Sequence, residues 1–67
     1  MRISYNKLWK MLIDKNMKKS DLKEQAGISS ASLAKLGRGD NITTDVLLKI
    51  CETMKCRIED ILETVED

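Results

Sequence analysis

The fold of this chain is decided between residues 19 and 36, which read KSDLKEQAGISSASLAKL. Residues 19–26 are typical of a short helix, because their apolar residues recur at the spacing of one helical turn. Gly27 predicts the end of that helix, since glycine readily takes the left-handed backbone conformation found just after helices. Ser29 and Ser30 can each cap a second helix, which we expect to run to about residue 36. The stretch therefore predicts two helices joined by a tight turn.

The apolar residues of this stretch indicate how the two helices pack. Ala26 and Gly27 are small and stand where two helices must approach each other closely. Ile28, Leu33 and Leu36 can pin the second helix onto the first. This arrangement is the helix-turn-helix motif, which presents its second helix outward so that it can lie in the major groove of DNA.

The outward face of the second helix has an unusual composition. It is predicted to carry Ser30, Ala31, Ala34 and Lys35. Serine can donate or accept a hydrogen bond at a base edge, an alanine methyl can pack on a thymine methyl, and lysine can reach guanine or a phosphate. The alternative is an ordinary solvent-exposed face, which more often carries long Glu and Lys side chains. A short, acid-free face favours a docking surface.

Helical periodicity also organises the rest of the chain. Apolar stripes predict three further helices, with these members: Tyr5, Leu8, Trp9, Leu12 and Ile13; then Val46, Leu47, Ile50, Cys51 and Met54; then Ile58, Ile61 and Leu62. Ser4 and Thr43 can cap the first two of these. Residues 37–41 are predicted to form a loop, residues 1–3 a strand or a loose arm, and residues 63–67 a frayed tail. We therefore expect a compact all-α domain of five helices over residues 1–67, with its core between about 5 and 62.

Composition excludes several classes of protein. Hydrophobic residues make up 42% and charged residues 34%, as in a soluble globular chain. The longest apolar runs have three residues, too few for a membrane span or a signal peptide, so we expect a cytoplasmic protein without a membrane partner. The chain has no His, no paired-carboxylate site and no cofactor or metal motif, so we expect neither an enzyme nor a small-molecule substrate. The spacing of Cys51 and Cys56 predicts different faces of a helix, and because free cysteines are often buried we expect buried or partly buried thiols rather than a redox pair.

The net charge of +1 conceals a strong segregation. Residues 1–39 hold nine Lys or Arg against three Asp or Glu, a net charge of +6. Residues 40–67 hold three Lys or Arg against eight Asp or Glu, a net charge of −5. Such a dipolar chain is consistent with one side that meets a polyanion, although accidental segregation on a solvated surface explains the charges equally well.

On these residues the chain resembles the lambda repressor and Cro type of helix-turn-helix domain, the large XRE-like family of bacterial and phage regulators. The matching positions are Leu22, the turn Gly27, Ile28 and Ser29, then Leu33, Leu36, Gly39, residues 47–51, Met54 and residues 58–62. The resemblance extends over about residues 5–62 and is greatest to small single-domain members that begin Tyr-Asn-Lys-Leu-Trp. It implies a sequence-specific regulator, in most cases a repressor, that binds double-stranded DNA and commonly forms a homodimer.

The resemblance also implies roles for individual residues. Base-edge contacts fall to Ser30, Ala31 and Lys35, with Ser29 and Ala34 beside them. Lys19 and Arg38 match positions that hold phosphates; Lys18 and Asn41 are placed to add further phosphate contacts.

Some residues depart from the family pattern. Lys18 stands where the family prefers Thr or Ser, which removes a helix cap worth about 1 kcal/mol. Gly37 replaces a frequent Glu. These departures and the acidic C-terminal half leave an alternative open, namely a protein-interaction or antitoxin-like module that keeps the fold with weak or no DNA binding.

Overall fold

A computed structural model describes residues 1–66, which form four α-helices, one turn of 3₁₀ helix and a two-stranded sheet. The helices are α1 (Asn6–Asp14), α2 (Lys19–Ala26), α3 (Ser30–Arg38) and α4 (Thr44–Met54), and the 3₁₀ turn is Ile58–Asp60. Strands β1 (Arg2–Ser4) and β2 (Glu63–Val65) pair antiparallel, with Ile3 opposite Thr64. None of these helices is long and apolar enough to cross a membrane.

The prediction of five helices in an all-α domain is wrong at the C-terminal end. Only Ile58–Asp60 is helical there, as a single 3₁₀ turn, because the chain continues almost at once into β2. The backbone of residues 63–65 bonds to β1, so the predicted frayed tail is wrong as far as Val65. The strand alternative for residues 1–3 is confirmed in substance, and position 67 lies outside the described residues.

Side-chain oxygens cap the helix starts where the sequence provides them. The Ser29 hydroxyl accepts a hydrogen bond from the Ser32 amide at 3.1 Å, and the Thr43 hydroxyl accepts one from the Val46 amide at 3.3 Å. Both caps were predicted. Ser4, also predicted to cap, accepts a hydrogen bond from the amide of Asn6 at 3.3 Å.

The start of α2 has no side-chain cap from Lys18 and is stabilised in a different way. The Lys18 side chain has no acceptor, but the Asp21 carboxylate reaches back and accepts the Lys18 amide at 2.9 Å. This is half of a capping box, and the negative charge also suits the first turn of a helix. The cost predicted for Lys18 is therefore partly offset by Asp21.

All four helices end in the same way. A residue in the left-handed conformation follows each helix, namely Asn16, Gly27, Gly39 and Lys55. The amide of the next residue then donates to the carbonyl five positions earlier, at 2.9–3.2 Å, in the pairs Met17 to Leu12, Ile28 to Lys23, Asp40 to Lys35 and Cys56 to Cys51. This is the long hydrogen bond of a Schellman motif.

Two predictions fail because of where these motifs lie. Gly37 and Arg38 belong to α3 rather than to a loop, because the left-handed residue that ends the helix is Gly39. Cys51 and Cys56 do not stand on different faces of one helix, because α4 ends at Met54 and the chain turns back.

The core lies between the helices and is closed at one end by the 3₁₀ turn and the sheet. Its buried residues are Tyr5, Leu8, Leu12, Leu22, Ile28, Leu36, Leu47, Ile50, Met54 and Ile61. Tyr5 is buried at the start of α1, and its hydroxyl donates a hydrogen bond to the backbone carbonyl of Asp40 at 3.0 Å. That bond ties the segment after α3 to the start of α1.

We expect the stability of the fold to fall above pH 10 because of Tyr5. Burial, and then the nearby Asp40 carboxylate, raise the pKa of the Tyr5 phenol above its ordinary value of 10.0. The contribution of Tyr5 to the free energy of unfolding is therefore complete below the pKa of the phenol in the unfolded chain. It is lost as the pH rises through the pKa of the phenol in the folded chain. Tyr5 is the single tyrosine, so phenolate absorbance reports it alone, and the native chain should titrate at higher pH than the chain in urea. Coincident titrations would contradict this expectation.

Candidate nucleic-acid interface

The pair α2 and α3 is held rigidly by the turn between them. Gly27 has φ 68°, a left-handed conformation that costs glycine little, and the following Ile28 is 6% exposed. Leu22 of α2 and Leu36 of α3 are buried in the same core. Ile28 thus fills the predicted place between the helices, and the opposite side of α3 faces outward.

The exposed side of α3 contains the residues that the sequence predicted for base contacts. Ser30, Ala31, Ala34 and Lys35 are all exposed, at positions that share one side of the helix. Within this set, hereafter the α3 face, there is no acidic side chain and only Lys35 is long. Such a face lets the helix backbone come close to a groove floor.

Ser29 lies at the start of the α3 face, but its hydroxyl also caps the helix. Its hydroxyl oxygen accepts the Ser32 amide, and its hydroxyl hydrogen is donated to the Ser32 hydroxyl oxygen at 3.1 Å. The predicted base contact of Ser29 therefore has to compete with the helix cap.

Two cations stand at the start of α2. Lys18 is the residue before the helix and Lys19 is its first residue, and both side chains are exposed. The Lys19 ammonium lies 4.5 Å from the centroid of the Trp9 ring, a cation–π contact. Trp9, a member of the predicted apolar stripe of the first helix, is half-buried against the core and contacts this lysine.

A third cation stands at the far end of α3. Arg38 is the last residue of that helix, and its Nε donates to the Asp40 carboxylate at 2.8 Å. Both side chains are largely exposed, so the pair is screened and contributes little to stability, but it limits the directions that the guanidinium can take. Asn41, the last predicted phosphate contact, is exposed in the segment that follows.

Two residues beside Arg38 could not be predicted from sequence patterns. Arg2 of β1 and Asn6 of α1 line one hollow of about 190 Å³ together with Gly37 and Arg38 of α3. Pairing between β1 and β2 is what brings Arg2 there, and that pairing joins opposite ends of the chain. The hollow adds polar donors next to the C-terminal end of the α3 face.

The geometry thus has the parts of a helix-turn-helix DNA-binding domain: a turn anchored by the buried Ile28, a second helix with an exposed face, and cations at the start of α2 and at the end of α3. The comparisons with known proteins agree. The sequence profile of Cro/C1-type HTH DNA-binding domains matches residues 7–67, and the chain belongs to that family.

One solved structure is similar over almost the whole chain. The crystal structure of the transcriptional regulator VanUg, Form II, superposes with a TM-score of 0.94 at 50% sequence identity, over 98% of this chain and 88% of that one. The comparison with curated proteins gives no significant match.

Proposed function

We propose that this protein is a transcriptional repressor that recognises a specific double-stranded DNA sequence with α3 in the major groove. The observation that carries the proposal is the α3 face, which is short and free of acids, with Arg38 at the C-terminal end of α3 and with Lys18 and Lys19 at the start of α2. In this function, Lys18, Lys19, Arg38 and Asn41 hold phosphates and so fix the register of the protein on the duplex. Ser30, Ala31, Ala34 and Lys35 then read base edges, with Ser29 beside them.

The family and the neighbour support a DNA-binding transcriptional regulator, and repression is our proposal for the direction of that regulation. VanUg is described as a transcriptional regulator, and regulators with this motif commonly bind as dimers to half-sites about 34 Å apart. We propose the same for this chain, as a homodimer in the cytoplasm of a bacterium or of a phage-infected cell. Repression follows where the bound protein excludes the transcription machinery from its site.

Selection from a random library of double-stranded DNA tests this function directly. The full chain should enrich one motif, and a two-fold arrangement of that motif would report the dimer. A library that remains random after several rounds would contradict sequence-specific binding. A protein that co-purifies with the chain would then favour the interaction-module alternative.

Substitutions of two lysines should separate base reading from phosphate binding on the selected site. Lys35→Ala removes a long donor from the α3 face, so we expect about a 10-fold loss or more on the selected site and a smaller loss on random DNA. Lys19→Ala should weaken binding to both DNAs alike and reduce the salt slope by about 1, because one phosphate contact is lost. A salt titration of both variants measures these effects.

The matched control is a lysine on the acidic half of the chain. Lys49 of α4 is exposed and lies 3.5 Å from the Asp45 carboxylate one turn earlier. Lys49→Ala removes the same charge, and we expect unchanged DNA affinity. Equal losses for all three variants would mean that only the net charge matters, and the assignment of residues would be wrong.

A further inference from the structure

Cys51 and Cys56 are brought together by the way α4 ends. Lys55 takes the left-handed conformation with φ 54°, and the Cys56 amide donates to the Cys51 carbonyl at 3.1 Å. In a Schellman motif the side chains of these two positions commonly pack against each other. The motif therefore pairs two thiols where most proteins place two apolar side chains.

Small reagents can reach both thiols. Cys51 and Cys56 are free, half-buried cysteines, and both line an open, mainly apolar hollow on the surface. Leu48, which is 56% exposed, and Lys55 line the same hollow. The two cysteines thus stand close together and are open to solvent, which a fully buried structural cysteine is not.

We propose that Cys51 and Cys56 form a reversible intramolecular disulfide when a low-molecular-weight disulfide oxidises the protein. The Cys51 thiolate attacks one sulfur of the reagent, and the other half of the reagent leaves as a thiolate. The Cys56 thiol then loses its proton to water and attacks the Cys51 sulfur, which releases the second half. The protein gives up two electrons and two protons, and the reagent becomes two thiols.

The surroundings of Cys56 assign the order of these steps. Burial, followed by the neighbouring Cys51 and by Asp60, raises the pKa of the Cys56 thiol to about 11, against a smaller lowering by Lys15. The hydrogen bond from the Cys56 amide to the Cys51 carbonyl and the hollow that both residues line place the two cysteines side by side. With its raised pKa, Cys56 presents little thiolate, and we assign the first attack to Cys51. This inference is independent of DNA binding.

Treatment of the reduced full chain with oxidised glutathione tests the proposal. Intact-mass measurement should show loss of two hydrogens, with no bound glutathione and no thiol left for alkylation. Dithiothreitol should restore both thiols. Two persistent thiols, two bound glutathiones or a cross-link between chains would each overturn the proposal.

Single substitutions test the order of attack. Cys56→Ser should hold one glutathione at Cys51, because the second thiol that releases it is missing. Cys51→Ser should react at Cys56 about 10-fold more slowly than Cys56→Ser reacts at Cys51, because burial, the largest cause of the raised pKa of Cys56, remains in that variant. Circular dichroism confirms that both variants fold, and equal reaction rates would overturn the assigned order.

Discussion

Replacement of Ala34 by Glu should reduce specific DNA affinity about 100-fold or more while leaving the fold intact. Ala34 is exposed in the middle of the α3 face, so a longer side chain meets no packed neighbour in the free protein. Glutamate also suits a helix interior. In the groove, however, its carboxylate would face bases and phosphates without a partner, and a like-charge contact at an interface costs several kcal/mol. Titration of the selected DNA site measures the loss, and circular dichroism measures the fold.

Two variants separate the charge of this substitution from its size and from its position. Ala34→Gln adds a side chain of the same length without charge, and we expect a smaller loss than for Ala34→Glu. Gln25→Glu adds the same charge to α2, at a residue whose carbonyl accepts a hydrogen bond from Thr53 of α4 at 3.4 Å, and should change affinity little. If Ala34→Glu binds like the parent chain, α3 does not enter the groove.

The helices could be predicted closely because their signals are local. The bounds of α2 are those expected from the sequence, and its end depends on one residue, Gly27, in the left-handed conformation. Ser29 and Thr43 cap α3 and α4 through hydrogen bonds to amides three residues later. Such signals act within one turn, so the sequence alone contains them.

The sequence-based predictions are wrong where a distant segment, or a choice between two local signals, determines the structure. Glycine at both 37 and 39 offers two places to end α3, and only the backbone geometry shows that Gly39 is the one used. The strand at residues 63–65 exists because it pairs with β1 at the other end of the chain. A segment of three residues is too short to show a periodic pattern, so its sequence cannot reveal the strand with which it pairs.

The candidate site likewise has features that local sequence could predict and features that it could not. Ser30, Ala31, Ala34 and Lys35 could be grouped because helical spacing places them on one side. The contact of Lys19 with Trp9 joins α2 to α1, and the hollow shared by Arg2 and Arg38 joins β1 to α3. These contacts depend on packing between elements, so they became visible only in the fold.

The fold also shows which structural elements the basic and acidic halves of the chain form. The acidic half of the chain builds α4, the 3₁₀ turn and β2, and α4 packs against α2, which in turn packs against α3. Lys18 and Lys19 stand at the start of α2, and Lys35 and Arg38 lie on α3. The basic half therefore supplies the α3 face and the cations near it, whereas both halves contribute buried residues to the core. A chain this short buries only a small core, so its free energy of unfolding is small.

Leu22→Ala should therefore unfold most of the protein at physiological temperature. Leu22 is 0% exposed and belongs to α2, the helix that supports α3. Removing a fully buried leucine side chain costs about 2–5 kcal/mol, through lost transfer free energy and the cavity left behind. A core of this size supplies only about 3–5 kcal/mol, so the loss is comparable with the whole stability. Urea unfolding followed by circular dichroism measures the change in the free energy of unfolding.

The same substitution at an exposed position provides the control. Leu48 lies on α4 with 56% of its surface exposed, so Leu48→Ala should change the free energy of unfolding by less than about 0.5 kcal/mol. Leu22→Ala should also lose DNA binding, but here the cause is unfolding, and excess selected DNA should restore part of the helical signal because it binds only the folded chain. A stable Leu22→Ala chain that still fails to bind DNA would contradict this account, because Leu22 would then act on α3 without holding the core together.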